Sequence, residues 1–450
     1  MRDDTIAAIA TAPGMGGIGI IRISGPEAER ILREIFRPAG ISAEAPWESH
    51  RMMFGQILDG EETLDECMAV VMRGPKSYTR EDVAEIQSHG GTQVLQRILG
   101  AVTGRGARIA EAGEFTRRAF LNGRIDLSRA EAVMRLIRAG GEHERRAAVR
   151  QMSGGTADFI RKASDELYSL QAGLAACIDY PEEISDEEGA GTLREGLMRL
   201  TETLKSAIDE RSARLIHDGM QVTLFGIPNA GKSSLLNALI GQEKAIVTEI
   251  PGTTRDTVEG EMTLDGIRVH LTDTAGMRDT EDPIERIGVE RSERARQNAD
   301  ITMLILDSGR EIREEEREWI RQLKESDAVI LNKSDLPPAI TEETVAGIRP
   351  DIRCMKVSAL DERSLRPIRD FLRKSAEIRD QLAVTQPRHL EAVKRAVGHL
   401  EDAMRTLETW TPDMAATDLQ AAQNALSEIT GDRADEKLLD RVFSEFCVGK

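Results

Sequence analysis

Residues 226 to 234 read GIPNAGKSS, a GxxxxGKS spacing placed directly after the apolar run QVTLF and before SSLLNALIG. Such a loop handles phosphate. Its glycines let backbone N–H groups approach the oxygens, and a helix N-terminus faces their charge. Lys232 reaches the β- and γ-phosphates, and Ser233 offers a hydroxyl to Mg2+. Asn229, Ala230, Gly231 and Ser234 complete the expected contacts of this loop.

A second short motif names the base. NKSD, Asn332 to Asp335 with Lys333 between them, follows the apolar run AVIL. The Asp335 carboxylate can accept from both guanine N1–H and the exocyclic amine, an arrangement adenine does not offer, and a buried polar group left unpaired by the wrong ligand discriminates strongly. Ser358 and Ala359, after CMKV, fit the loop whose backbone amide meets guanine O6. GTTRD (Gly252 to Asp256) lies where a switch loop belongs, with Thr254 completing a Mg2+ shell. The expected GTP contacts also take in Gly252 and Thr253, and the stretch Asp273, Thr274, Ala275 and Gly276. Asp273 is expected to meet Mg2+ through water.

DTAG is followed by Met277, where Ras-like enzymes carry a water-orienting glutamine. A thioether cannot do that work. Either the chain uses GTP as a binding signal only, or other groups replace the glutamine. The residues within reach in sequence are Asn229, Arg255, Glu285 and Arg286, with Lys232 already on the phosphates.

These motifs need a scaffold, and the hydrophobic pattern predicts one. QVTLFG, RVHLTDT, DITMLILD, AVILNK and CMKVS are apolar runs separated by helical or loop segments, as a mostly parallel sheet with helical crossovers requires. Helical texture flanks this region on both sides. Leu193, Leu197, Leu200, Leu204 and Ile208 share one helix face, and Leu390, Val393, Val397, Leu400, Met404 and Leu407 form a heptad-like seam. The stretch before about Gly123 mixes short apolar runs with Gly/Pro punctuation and reads as α/β. The expected division is 1–120, a helical domain made of 121–216 and 380–450, and a GTPase domain inserted at 217–379.

Composition agrees with a soluble globular chain: 40% hydrophobic and 31% charged residues over 450 positions. The N-terminus lacks a basic n-region and a sustained apolar h-region, and no apolar run reaches the roughly 20 residues of a membrane helix, so a cytoplasmic protein is expected. The formal charge of -18 argues against nonspecific coating of nucleic acid. Between Arg105 and Arg150, however, eleven arginines face six carboxylates. Two readings stand for that segment, a solvated helix face or an anion surface. DYPEEISDEEG, Asp179 to Gly189, reads as an exposed acidic loop. The four cysteines lack metal-ligand or CxxC spacing.

DTIAAIATAPGMGGIGIIRISGP at the start, EAGEFTRRAFLNGRIDLSRAEAV, the GTPase motifs and the ending LSEITG…LLDRVFSEFCVGK together resemble the MnmE (TrmE) family of tRNA-modification GTPases over essentially the whole chain. The resemblance implies an N-terminal α/β folate-binding domain that also forms a homodimer, an all-α helical domain, and a Ras-like P-loop GTPase domain. It implies a flavin-dependent partner, MnmG, in a heterotetramer, and modification of carbon 5 of the wobble uridine of certain tRNAs with a one-carbon unit from 5-formyltetrahydrofolate or a related derivative. It also implies GTP contacts at Thr248, Glu249, Ile250 and Pro251, and K+ in place of an arginine finger, held by Asn229, Thr248, Ile250 and Thr253 when two GTPase domains meet, with Glu285 organising the water. A hydrophobic Met277 is expected in that setting. For folate the resemblance points to Arg22, Glu85, Arg124 and Lys450; Arg124 stands where lysine is common, and Val448 where isoleucine is commoner. Two alternatives compete: a ribosome-assembly GTPase, which would bring its own RNA-binding module, and a noncatalytic GTP-dependent scaffold.

Overall fold

The computed structural model describes residues 4–40, 42, 45–180, 186–241, 260–273, 296–379, 382–409 and 412–450. The chain divides into two compact units, Met1–Met134 with Gln151–Arg194 and Gly398–Lys450, and Arg135–Arg150 with Glu195–Val397. The described elements begin with β1 (Ile6–Ile9), β2 (Gly16–Ser24), α1 (Ala28–Ile35), β3 (Phe36–Pro38), β4 (Met53–Asp59), β5 (Glu62–Met72), β6 (Val83–Gly90), α2 (Thr92–Thr103) and β7 (Arg108–Ile109). A helical stretch follows: α3 (Glu114–Leu121), α4 (Leu127–Arg138), α5 (Glu142–Met152), α6 (Gly155–Asp179), α7 (Asp186–Ser206) and α8 (Glu210–Asp218). Strands then return with β8 (Met220–Phe225), α9 (Lys232–Ile240), β9 (Gly260–Leu264), β10 (Ile267–Asp273), β11 (Ile301–Asp307), α10 (Glu314–Gln322), β12 (Ala328–Asn332), α11 (Glu342–Ala346) and β13 (Arg353–Lys356). The chain closes with α12 (Arg366–Ser375), α13 (Pro387–Glu408), α14 (Pro412–Thr430) and α15 (Glu436–Ser444).

In the first unit, seven strands order as β3-β4-β5-β6-β2-β1-β7. All pairs are antiparallel except β1 with β7. Period-two alternation sends Ile21, Ile23, Ala69, Val71, Ala84 and Ile86 inward, where they pack with Ile31, Leu32 and Ile35 of α1 and Leu95, Ile98 and Val102 of α2. The same register sets Arg22 directly opposite Glu85 on the other face.

In the second unit the order is β13-β12-β11-β8-β10-β9, parallel except for the β9–β10 pair. Its central strands are apolar on both faces because both are covered. Val222, Met303, Ile305 and Ile330 join one core with Leu235 of α9 and Ile368 of α12, while Phe225, Leu304, Leu306, Val329 and Leu331 join another with Ile320 of α10 and Val345 of α11. The five apolar runs expected as strands are β8, β10, β11, β12 and β13. β9 was not anticipated.

Leu193, Leu197, Leu200 and Leu204 are buried along α7, and Ile208 falls beyond its end. The seam of α13 is buried at Leu390, Val393, Val397, Leu400 and Leu407, with Met404 half-buried. Helix α8 starts where Asp209 accepts a hydrogen bond from the Ser212 N–H at 3.0 Å, and α15 where Asp435 accepts from Leu438 at 2.7 Å, so short acidic side chains supply the N-caps. The acidic tract after Asp179 lies partly outside the described residues. From Asp186 it is helix rather than loop. Among the described residues, no helix is long and apolar enough to cross a membrane.

Much of the arginine-rich segment is engaged internally. Arg105 pairs with Asp59, Arg117 with Asp440, Arg129 with Asp126, and Arg145 and Arg146 with Glu142. Buried Arg118 meets Asp4 at 2.7 Å, Glu114 at 3.1 Å and Glu81 at 3.2 Å, and Arg108 adds ion pairs to Asp4 and Glu114. Burial alone would raise the Asp4 and Glu114 carboxyls, but the two guanidiniums outweigh it and hold both below their ordinary values. This stabilisation is present in full above 4.5, the usual glutamate value, and is lost as pH falls through the lower folded values. Arg118→Met leaves Glu81 without its cation and Asp4 and Glu114 with Arg108 alone, and urea unfolding at pH 7 is expected to show a loss of about 3 kcal/mol. The variant should also lose less stability than the parent between pH 5 and 3; an unchanged acid limb would mean that Arg118 does not govern these carboxylates.

Candidate functional site

The phosphate loop begins where β8 ends. Gly226 has φ 146° and Gly231 has φ 90°, both outside the range comfortable for a side chain. Space enforces the same choice: a Cβ at Gly226 would stand 2.4 Å from the Ile305 carbonyl, and one at Gly231 2.2 Å from the Asn332 amide nitrogen. Asn229 between them has φ 64°, a left-handed conformation that asparagine tolerates better than most residues. Helix α9 opens immediately after Gly231, so its first N–H groups face the loop. The Lys232 ammonium is buried and donates to the carbonyls of Gly226 at 3.1 Å and Ile227 at 3.3 Å. Ala230 is buried; Asn229, Ser233 and Ser234 are exposed.

Ser233 lies against the end of β10. Its hydroxyl donates to Asp273 Oδ2 at 2.6 Å, while Asp273 Oδ1 is buried and has no hydrogen-bond partner among the described residues. A hydroxyl and an under-satisfied carboxylate converging on one point beside a phosphate loop form a donor set suited to a hard divalent cation. The residues present fit Mg2+.

The base-recognition loops are tied to the phosphate loop by Asn332. Its amide is buried at the end of β12, donates to the Ala230 carbonyl at 2.9 Å, and accepts from the Ala359 N–H at 3.2 Å. Asp335 is exposed, and the Ser358 hydroxyl, 2.6 Å from its Oδ1, holds the carboxyl below the usual aspartate value. Ionised, it is the acceptor that guanine's two donors require. Ser358 is itself clamped by Ser364, whose hydroxyl accepts from the Ser358 N–H and donates to its carbonyl, each at 2.9 Å. Lys333, at φ 61°, reaches Asp307 Oδ2 at 2.7 Å. Burial alone would raise Asp307, but Lys333 holds it below its ordinary value.

Thus Asn229, Ala230, Gly231, Lys232, Ser233, Ser234, Asp273, Asn332, Lys333, Asp335, Ser358 and Ala359 all come from one unit, on loops at the carboxyl ends of β8, β10, β12 and β13. Thr248, Glu249, Ile250, Pro251, Gly252, Thr253, Thr254, Arg255, Thr274, Ala275, Gly276, Met277 and Glu285 lie outside the described residues. Asp307 and Ser364 were not foreseen. An acid closing an apolar parallel strand was the available signal for Asp307.

The first unit gathers the other expected residues. Arg22 Nε meets Glu85 Oε1 at 2.8 Å, and its guanidinium lies 5.2 Å from the Tyr78 ring centroid. Arg124 lies 4.7 Å from the same centroid and donates to the Tyr78 carbonyl at 3.1 Å. The last residues run alongside: Ala112 bridges Val448, and Arg22 donates to the Gly449 carbonyl at 3.4 Å. Lys450 follows, its backbone N–H on the Cys447 carbonyl at 3.3 Å. Tyr78, the shared platform, was not anticipated from sequence.

Phosphate loop, cation ligands and guanine loops on a mostly parallel sheet define a P-loop guanine-nucleotide-binding protein. The rest of the chain narrows the class. Residues 127–447 match the family described as MnmE helical domain, and residues 5–124 match GTP-binding protein TrmE N-terminus. Relatives called tRNA modification GTPase MnmE match 100% of this chain: at 40% identity in Clostridioides difficile, over 99% of that protein, and at 41% in Heliobacterium modesticaldum and 42% in Symbiobacterium thermophilum, each over 100% of theirs. Among solved structures, the G domain of the T. maritima FeoB iron transporter aligns with 35% of this chain and 99% of its own at 24% identity; its TM-score of 0.28 is too low to carry an argument. The chain belongs to the MnmE family of tRNA modification GTPases.

Asp335→Asn replaces one acceptor oxygen with a donor, leaving a guanine N–H facing an N–H. GTP affinity, measured by fluorescent-nucleotide titration, is expected to fall by about 100-fold, whereas xanthine nucleotides, which carry a carbonyl in place of the amine, should lose far less. Equal losses for both bases would remove Asp335 from base recognition.

Proposed function

We infer that the protein hydrolyses GTP in the cytoplasm as part of a tRNA modification reaction. In this reading it acts as a homodimer with the flavin-dependent partner MnmG in a heterotetramer, and the product is the aminomethyl or carboxymethylaminomethyl form of carbon 5 of uridine 34, its one-carbon unit drawn from tetrahydrofolate. Family membership supports the tRNA assignment. The observation that carries hydrolysis is the Ser233–Asp273 pair, with its unsatisfied carboxylate oxygen, beside a phosphate loop locked to a guanine-reading loop through Asn332. In this reading the chain has three parts, 1–120, 121–216 with 380–450, and 217–379.

The steps assigned to this chain are mostly electrostatic. The ammonium of Lys232 leaves the Gly226 and Ile227 carbonyls for the phosphate oxygens, and the N–H groups opening α9 take others. Ser233, Thr254 and Asp273 would hold Mg2+, and Asn229, Thr248, Ile250 and Thr253 would hold K+. Bound there, the two cations supply positive charge where negative charge develops between the β- and γ-phosphates. Glu285 orients the attacking water, a task Met277 cannot perform, and Arg255 stands in the switch loop. Asn229 suits its role: it is exposed, and among the described residues its amide has no hydrogen-bond partner. In the other unit Arg22, Glu85, Arg124 and Lys450 receive folate. Glu85 is an acceptor for the paired N–H donors of a pterin, and Arg22 orients it.

GTP hydrolysis in KCl is expected to exceed that in NaCl of equal ionic strength by at least about tenfold, an arginine finger's usual contribution being roughly 10³ to 10⁵. Asn229→Ala should abolish the difference while nucleotide affinity changes little. Equal rates in the two salts would sink the potassium reading and leave a partner-supplied arginine or a binding-only switch.

A further inference from the structure

Next to Tyr78 opens a cavity of about 550 Å3, within the range of small-molecule sites, roughly 300–1,000 Å3. Its wall includes His50, Lys76, Ser77, Tyr78, Arg80 and Arg124, and no carboxylate lines it. The cations there are unlike their neighbours. Many other guanidiniums in this unit are matched with acids, as in Arg22–Glu85, Arg73–Glu29, Arg105–Asp59 and the Arg108–Arg118 network. Arg80 instead donates to the carbonyls of Asn122 and Gly123 at 3.0 and 3.2 Å, and Arg124 to that of Tyr78. Lys76 is exposed and, among the described residues, makes no ion pair. Three permanent charges with only neutral partners share one cavity in a chain whose net charge is -18. Such a place attracts an anion, and three spaced cations suit one bearing several negative charges along its length.

The cavity neighbours the Arg22–Glu85 pair through Tyr78, which lines it: Arg22 and Arg124 each lie over that ring. A ligand whose hydrogen-bonding head engages Glu85 and whose body passes Tyr78 meets this basic wall. We propose that the cavity binds the poly-γ-glutamyl tail of a tetrahydrofolate cofactor, its successive α-carboxylates meeting Arg124, Arg80 and Lys76. The proposal rests on the folate reading above and deepens it, since the physiological ligand becomes a polyglutamate rather than a monoglutamate. The tail contributes through charge, so its effect is screened by salt.

The test compares 5-formyltetrahydrofolate carrying one glutamate with the same molecule carrying five, by equilibrium dialysis against the full chain at low and high salt. The pentaglutamate is expected to bind about tenfold more tightly at low salt, with the advantage shrinking at high salt. Lys76→Gln should reduce that advantage and Lys76→Glu abolish it, with monoglutamate affinity unchanged in both. This side chain is exposed and makes no hydrogen bond or ion pair among the described residues, so loss of folding does not cloud the result. Equal affinities for the two forms would overturn the tail site and leave the folate reading intact, whereas binding of neither would overturn both. If Lys76→Glu instead weakened tRNA binding and left both folates unaffected, the cavity would serve an RNA backbone and the proposal would fall.

Discussion

One buried amide organises the nucleotide site. Asn332 leaves the end of β12 and spans three loops, its nitrogen on the Ala230 carbonyl and its oxygen on the Ala359 N–H. Phosphate recognition and base recognition are thereby one rigid body, so a nucleotide held by its guanine presents its phosphates in a fixed place. The closeness of the contact dictates other residues: only glycine fits at 231, and the Ser358–Ser364 clamp fixes the strand end that delivers Ala359. Amides and hydroxyls do this without net charge, leaving Lys232 and Asp335 as the charges the ligand meets.

The two units solve their electrostatics differently. Beside the phosphate loop, Lys232 donates to two carbonyls, and Asp273 donates nothing and accepts on one oxygen from the Ser233 hydroxyl, its other oxygen unpartnered among the described residues. A ligand displaces little. In the first unit, Arg108 and Arg118 are saturated with acids and serve the architecture. That saturation makes the acid-free cavity around Lys76 and Arg80 conspicuous, and it accounts for much of the arginine excess between Arg105 and Arg150.

The nucleotide site was largely legible because its motifs are local: backbone geometry around Gly231 and chemistry at Asp335 depend on neighbours in sequence. The strands of the second sheet were legible for the same reason, as unbroken apolar runs. β9 was missed although Asp265-Gly266 between EMTL and IRVHL is a hairpin turn, with φ 46° and 85° at the two residues. Asp307 and Ser364 escaped because their partners, Lys333 and Ser358, lie 26 and 6 positions away. Tyr78 escaped for a related reason: its value comes from Arg22 and Arg124, which only a folded sheet sets over one ring. The pairing of Arg22 with Glu85 was not read from spacing either, since it is a product of β2–β6 register.

The contact of Arg22 with Gly449 joins positions 427 apart. Closing so long a loop is entropically slow, and contacts of large sequence separation form late. The β2–β6 pair, with Arg22 facing Glu85, joins positions far closer in sequence, whereas the Ala112–Val448 bridge depends on the chain end reaching back. Without that bridge the backbone at Ala112 would offer its N–H and C=O to any extended peptide, so the chain end also guards this seam against mispairing.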